Sequence, residues 1–118
     1  MEIAYETIQA FQKVITGDSL EDRDPIAPYR SGPELIEFFN QFGENDEYGQ
    51  GFPSRWYFTE EKLKKFNGSE RLKEVLESAV DPRSFLGSEY NIEEVVEYLN
   101  QFLEYDCRGS RVFPTRGQ

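Results

Sequence analysis

The sequence predicts a mainly α fold, a compact bundle of about five helices with one irregular aromatic loop. Apolar residues recur at helical spacing in separate stretches, and glycine, proline or helix-capping residues stand between those stretches. A Gly-Ser turn signal near the end of the chain leaves open a short C-terminal β-hairpin, and with it a winged-helix-like arrangement. We expect residues 1–118 to form a single small α-helical domain.

The first helix is expected between Ile3 and Ile15 and ends at Gly17. Its predicted buried face consists of Ala4, Ile8, Phe11 and Ile15. The following stretch, GDSLEDRDPIAPYRSGP, combines glycines, prolines and an acidic run. This composition is typical of a surface linker or an ordered loop.

A capping box formed by Ser31 and Glu34 predicts the start of the second helix, with Pro33 in its first turn. The apolar stripe of this helix consists of Leu35, Phe38, Phe39 and Phe42, and Gly43 closes it. Asn91 and Glu94 form a similar signature before the last helix. The buried face of that helix consists of Ile92, Val95, Leu99, Phe102 and Leu103.

Two shorter helices are expected between these elements. Thr59 is the predicted N-cap of the third helix, which buries Leu63 and Phe66 and stops at the sequence FNGSE. Ser69 is the predicted cap of the fourth helix, which the Asp-Pro pair at residues 81–82 ends. The fourth helix buries Leu72, Val75, Leu76 and Ala79.

Composition argues against several classes of function. The chain has no histidine and one cysteine, Cys107, so we expect no disulfide, no zinc site and no histidine general base. Paired carboxylates are typical solvated groups of an acidic helical protein, and the GQG sequence lacks a phosphate-binding pattern. We therefore expect no enzymatic activity, no metal and no cofactor. No apolar run is long enough to cross a bilayer and no signal peptide is evident, which favours a cytoplasmic protein without a membrane partner.

The formal charge of −10 opposes general binding to nucleic acid. The segment from Arg55 to Lys73 is nevertheless locally basic, and Lys62, Lys65 and Arg71 are a candidate basic patch. Such a segment is also typical of the solvated face of two helices.

The stretch YGQGFPSRWYFT, residues 48–59, is the principal candidate site. In one interpretation Phe52, Trp56 and Phe58 turn into the core, and Arg55 stacks on a ring or pairs with Glu37 or Glu61. In the other, this segment forms the rim of a ligand or partner pocket. The candidate binding residues are Tyr48, Phe52, Arg55, Trp56 and Tyr57. We expect Trp56 to be structural and Arg55 to be partly structural and partly exposed.

Three motifs suggest a family: GFPSRW at residues 51–56, DPR at 81–83 and YLN at 98–100. With these motifs in this order, the chain resembles the N-terminal domain of AbiJ-type bacterial abortive-infection proteins. The resemblance covers roughly residues 30–106. The resemblance implies a module that senses or docks something while an effector domain, often a HEPN ribonuclease, performs the chemistry. The R-x-x-x-x-H signature of HEPN ribonucleases is absent from this sequence. The resemblance therefore leaves two alternatives, the N-terminal module of a longer chain or a stand-alone relative of that module.

Three functions remain open at this point. The first is a sensor or adaptor of a phage-defence system that binds a ligand, a partner protein or an effector domain. The second is a stand-alone acidic inhibitor or antitoxin-like protein that imitates nucleic acid. The third is a winged-helix-like nucleic-acid binder that uses the basic patch and a C-terminal hairpin.

Overall fold

The computed structural model describes residues 1–106, and Cys107 and the C-terminal hairpin prediction lie outside them. The predicted mainly α architecture is confirmed, with no strand among the described residues. The elements are α1 (Tyr5–Thr16), α2 (Gly32–Asn40), α3 (Arg55–Phe66), α4 (Arg71–Ala79), a 3₁₀ helix (Pro82–Phe85) and α5 (Ile92–Asp106). No described helix has both the length and the apolar composition that a bilayer crossing requires.

Helix α1 is the central element and packs against α3, α4 and α5. It runs antiparallel to α3, because both backbone groups of Ile3 bond to the Asn67 side chain at the end of α3 while Thr16 meets Arg55 at its start. The largest side chains of the core are completely enclosed; they include Phe11, Ile15, Phe39, Leu63, Leu72, Leu99 and Leu103. Burying this apolar surface is the main driving force for the bundle.

Several predicted helix ends are confirmed. The Ser31 hydroxyl accepts a hydrogen bond from the Glu34 N–H, and the Glu34 carboxylate accepts one from the Ser31 N–H at 2.8 Å. Helix α1 ends at Gly17, whose φ of 75° lies in the left-handed region. A Cβ at Gly17 would also overlap the backbone of Pro28, so this position requires glycine.

The predicted start of α3 is wrong. The helix begins at Arg55, four residues before Thr59, so the sequence RWYF is helical and Thr59 is fully buried within the helix. The physical reason is the inward position of Phe58, whose ring lies 5.9 Å from Phe39 and 5.0 Å from Phe52. This aromatic packing stabilises an additional helical turn.

Two smaller predictions also need correction. Helix α4 begins at Arg71 after Glu70, and the Ser69 hydroxyl donates a hydrogen bond of 2.6 Å to the carbonyl of Phe66 instead of capping α4. Ser69 therefore stabilises the end of α3. Ala4, predicted to lie on the buried face of α1, is exposed, and Ile3 is buried in the core.

Candidate functional site

Three helix ends meet at one end of the bundle: the C-terminus of α1 and the N-termini of α2 and α3. We call this region the aromatic end and define it by Tyr29, Tyr48, Phe52, Arg55, Trp56 and Tyr57. At the start of α2, a Cβ on Gly32 would overlap the ring of Tyr48 and stand 3.3 Å from the ring of Phe52. The absence of a side chain at Gly32 therefore lets the loop before α3 lie against α2.

Arg55 connects the elements of the aromatic end. Its Nε donates to the carbonyl of Arg30 at 2.8 Å, its Nη1 to the Asp18 carboxylate at 3.0 Å, and its Nη2 to the carbonyl of Thr16. The guanidinium carbon also lies 3.9 Å from the centroid of the Tyr29 ring. The expected stacking on a ring is confirmed, whereas the acidic partner is Asp18 and neither Glu37 nor Glu61.

Arg30 completes the same arrangement. Its backbone N–H donates to the carbonyl of Thr16 at 3.1 Å, and its Nη1 donates to the carbonyl of Ile15 at 2.9 Å. Burial lowers the pKa of Arg30, and the nearby Glu34 carboxylate opposes that shift. Arg30 nevertheless stays charged, because the ordinary pKa of arginine is far above neutral pH. Two guanidinium groups therefore satisfy the last carbonyls of α1, where the helix dipole favours positive charge.

The expectation that Trp56 is a core residue is wrong, because its side chain is 51% exposed. Phe58 points into the core, and Trp56, two residues earlier in the same helix, lies about 200° away around the helix axis and so faces the opposite side. Tyr57 and Tyr48 are also about half exposed, and the Trp56 and Tyr57 rings meet edge to face with centroids 5.7 Å apart. Large aromatic side chains therefore remain accessible beside a rigid framework.

A groove of about 350 Å³ lies between α3 and the loop that precedes it. Its apolar lining consists of Ile36, Phe52, Pro53, Tyr57 and Phe58, and its polar lining includes Asp46, Glu47, Glu61 and Lys62. Tyr48 extends the apolar surface, since its ring centroid lies 4.9 Å from that of Phe52. Of the five predicted site residues, Phe52 and Tyr57 line the groove. The rings of Tyr48 and Trp56 contact Phe52 and Tyr57 but do not belong to the lining, and Arg55 bonds to the neighbouring helix ends.

The candidate basic patch is paired with carboxylates. Lys62 Nζ lies 2.5 Å from oxygens of both Glu44 and Asp46, and Lys65 Nζ lies 2.8 Å from the Glu44 carboxylate. The third member of the patch, Arg71, pairs with Glu74 at 3.2 Å on its own helix. Little positive charge at these positions is therefore left unpaired for a phosphate backbone.

Lys62 and Lys65 make the free energy of unfolding depend on pH in the acid range, because both bond to the Glu44 carboxylate. Hydrogen bonds from Lys62 and Lys65 hold the pKa of the Glu44 carboxyl below its ordinary 4.5. A group with a lowered folded-state pKa stabilises the fold above the unfolded pKa, and that contribution is lost as pH falls through the folded pKa. We expect Glu44→Gln to lower the free energy of unfolding at pH 7 and to reduce its decline below pH 4.5. Denaturant titrations at pH 7 and below pH 4.5 measure the free energy of unfolding, and Glu89→Gln, at an exposed position, is the control. The same pH dependence in the wild type and in Glu44→Gln would contradict the prediction.

The sequence analysis did not identify Tyr29 and Asp18 as partners of Arg55. Both lie in the loop between α1 and α2, where no periodic pattern indicates which side chains face α3. Within residues 1–106, no three histidine, cysteine or carboxylate side chains converge on a metal position.

No family model, curated protein or solved structure matches this chain. The resemblance to the AbiJ-type domain therefore rests on the three motifs described above.

Proposed function

We propose that this chain is a non-catalytic recognition module that binds a partner protein at the aromatic end, as a sensor or adaptor of a bacterial abortive-infection system. The observation that carries the proposal is the half exposure of Tyr57, which lines the groove, and of Tyr48 and Trp56, whose rings contact the lining residues Phe52 and Tyr57. Tryptophan and tyrosine dominate the energetics of protein interfaces. The placement in phage defence comes from the sequence resemblance.

The rigidity of the aromatic end supports this function. Arg55 bonds to the end of α1 and to the loop before α2, so the first turn of α3, which carries Trp56 and Tyr57, is fixed before a partner arrives. A preorganised surface loses less conformational entropy on binding than a flexible one. The same bonds engage all three nitrogens of the Arg55 guanidinium, which makes Arg55 a supporting residue and leaves contact with the partner to the aromatic side chains.

The charge around the groove indicates the chemistry of the partner. Glu47 and Glu61 line the groove. Glu61 pairs with Lys64 at 3.4 Å, and Lys62 is paired with Glu44 and Asp46. The whole chain carries a formal charge of −10. The best complement is a protein segment with an apolar or aromatic anchor flanked by lysine or arginine, because opposite potentials speed encounter and set register.

The second candidate is an acidic inhibitor that imitates nucleic acid. The pairing of Lys62, Lys65 and Arg71 with carboxylates favours it over a winged-helix-like nucleic-acid binder, since the locally basic segment offers little unpaired charge. An inhibitor of this kind would use its carboxylates and would not need the exposed aromatic residues. The contribution of Trp56 and Tyr57 to binding therefore separates the two functions.

A selection of random dodecapeptides displayed on phage tests the proposal. The immobilised full chain should enrich peptides with one apolar or aromatic anchor and flanking basic residues. A selection against the Trp56→Ala/Tyr57→Ala variant should not enrich the same peptides. Failure to enrich any sequence class, or equal enrichment by both proteins, would contradict the proposal.

A further inference from the structure

A second cleft lies on another side of the bundle, between α1, α5 and the loop at Leu20–Asp22, with a volume of about 430 Å³. It shares no lining residue with the groove at the aromatic end. Its lining consists of Glu6, Gln9, Ala10, Lys13, Leu20, Glu21, Asp22, Tyr98 and Phe102. The volume falls in the range of pockets that hold small molecules or a single large side chain.

The floor of this cleft is aromatic. The rings of Tyr98 and Phe102 meet edge to face with centroids 5.2 Å apart, and buried Ala10 and Leu20 complete the apolar surface. Both rings are only partly buried, so ring surface stays accessible from the cleft. Aromatic faces carry a negative quadrupole potential that attracts cations.

The rim of the cleft is acidic. Among residues 1–106, the carboxylates of Glu6 and Asp22 have no hydrogen-bond or ion-pair partner, while Glu21 pairs with Lys13 at 3.3 Å. Lys13 is the only cation in the described lining, so two carboxylates remain uncompensated there. The pKa of Tyr98 is raised, first by burial and then by the Glu21 carboxylate, while Arg23 partly opposes the shift.

The chain already places a cation on this aromatic floor. The guanidinium carbon of Arg23 lies 5.9 Å from the centroid of the Tyr98 ring, while its Nη1 bonds to Glu94 at 3.2 Å. Arg23 is not part of the cleft lining. The Tyr98 ring therefore already serves as a cation acceptor within the folded chain.

We propose that the cleft between α1 and α5 binds an organic cation, a guanidinium or primary ammonium group on an alkyl chain. The alkyl part packs on Tyr98, Phe102 and Leu20, and the charged group reaches the carboxylates of Glu6 and Asp22. Aromatic surfaces combined with carboxylates are how proteins recognise such cations. This site is independent of the proposed partner surface and adds a ligand to the module.

Calorimetric titration of the full chain near physiological ionic strength tests the proposal with three probes. Butylguanidine represents a free cation of single charge, N-acetylarginine methylamide represents an arginine side chain of a protein, and N-acetylcitrulline methylamide is the neutral isostere of the second probe. We expect saturable binding of at least one cationic probe and none of the citrulline compound. Tighter binding of butylguanidine would assign the site to free cations, and tighter binding of the arginine compound to a partner's side chain.

Variants locate the binding in the cleft. Tyr98→Leu should weaken binding about 3- to 30-fold, whereas Tyr98→Phe should retain it because the ring is kept. Glu6→Gln/Asp22→Asn should weaken binding about 3- to 10-fold. The pair Glu77→Gln/Glu89→Gln makes the same change of net charge at exposed positions outside the cleft and should have little effect. Circular dichroism confirms that each variant is folded.

Three results would overturn the proposal. One is the absence of saturable binding by both cationic probes. Another is binding that Tyr98→Leu leaves unchanged. The third is an equal loss of affinity in Glu6→Gln/Asp22→Asn and in Glu77→Gln/Glu89→Gln, which would show attraction by the overall charge alone.

Discussion

Arg55→Ala is expected to lower the free energy of unfolding by about 2–4 kcal/mol. The substitution removes three hydrogen bonds at once and leaves the carbonyls of Thr16 and Arg30 and the Asp18 carboxylate without their shared donor. It also removes the cation that stacks on Tyr29 and that complements the dipole at the C-terminus of α1. Chemical denaturation followed by circular dichroism measures the change.

Two variants show whether geometry or charge is responsible. Arg55→Lys should recover little of the loss, because an ammonium group cannot donate in the three directions that the guanidinium covers. Arg83→Ala is the matched control, since Arg83 also pairs with an aspartate, Asp81, but its side chain is 84% exposed. That control should unfold as the wild type does. Wild-type stability in Arg55→Ala would show that the connection between α1 and α3 does not depend on Arg55.

Trp56→Ala/Tyr57→Ala is expected to weaken binding of a selected peptide by about 100-fold or more, since each interface aromatic of this kind contributes about 2 kcal/mol. The two side chains are 51% and 45% exposed, so the fold depends on them much less than on Phe58 or Phe39. The double variant should therefore keep a cooperative unfolding transition close to that of the wild type. Isothermal titration with one enriched peptide gives the affinity.

Tyr105→Ala serves as the control for this second prediction. Tyr105 is 89% exposed on α5, and its neighbour Asp106 bonds to Ala4 and Thr7 at the start of α1, whereas the aromatic end lies at the opposite end of that helix. It should bind the peptide with wild-type affinity. A double variant that binds as well as the wild type would exclude the aromatic end as the interface, whereas one that unfolds would return Trp56 or Tyr57 to a structural role.

The helix pattern was predictable where local signals decide it. The capping box of Ser31 and Glu34 sets the start of α2, and Gly17 ends α1, because both depend on interactions between neighbours in sequence. The apolar stripe of α5 follows from spacing alone, and Val95, Leu99 and Leu103 are all fully buried.

The start of α3 was not predictable in the same way, although Leu63 and Phe66, which were predicted to face inward, are both buried. Thr59 is a good N-cap by composition, but the packing of Phe58 against Phe39 and Phe52 extends the helix back to Arg55. The N-cap is therefore Ser54, five residues before the predicted Thr59, and the added turn places Phe58 in the core and leaves Trp56 exposed. The exposure of Trp56 follows from contacts between residues that are far apart in sequence, which a local pattern does not contain.

The role of Arg55 depends on distant residues in the same way. Its carboxylate partner Asp18 and its stacking partner Tyr29 belong to a loop that precedes it by more than twenty residues. The five aromatic residues and the single arginine of residues 48–59 indicated an important segment. Only the three-dimensional arrangement separates the residue that supports the surface from the residues that form it.

The fluorescence of Trp56, the single tryptophan of the chain, tests most directly whether the aromatic end is an accessible binding surface. In the free protein we expect the red-shifted emission of a water-exposed indole and efficient quenching by acrylamide. Saturation with a selected peptide should shift the emission to the blue and protect the indole from the quencher. Blue-shifted, protected emission in the free protein, or an unchanged spectrum in the saturated complex, would contradict the account.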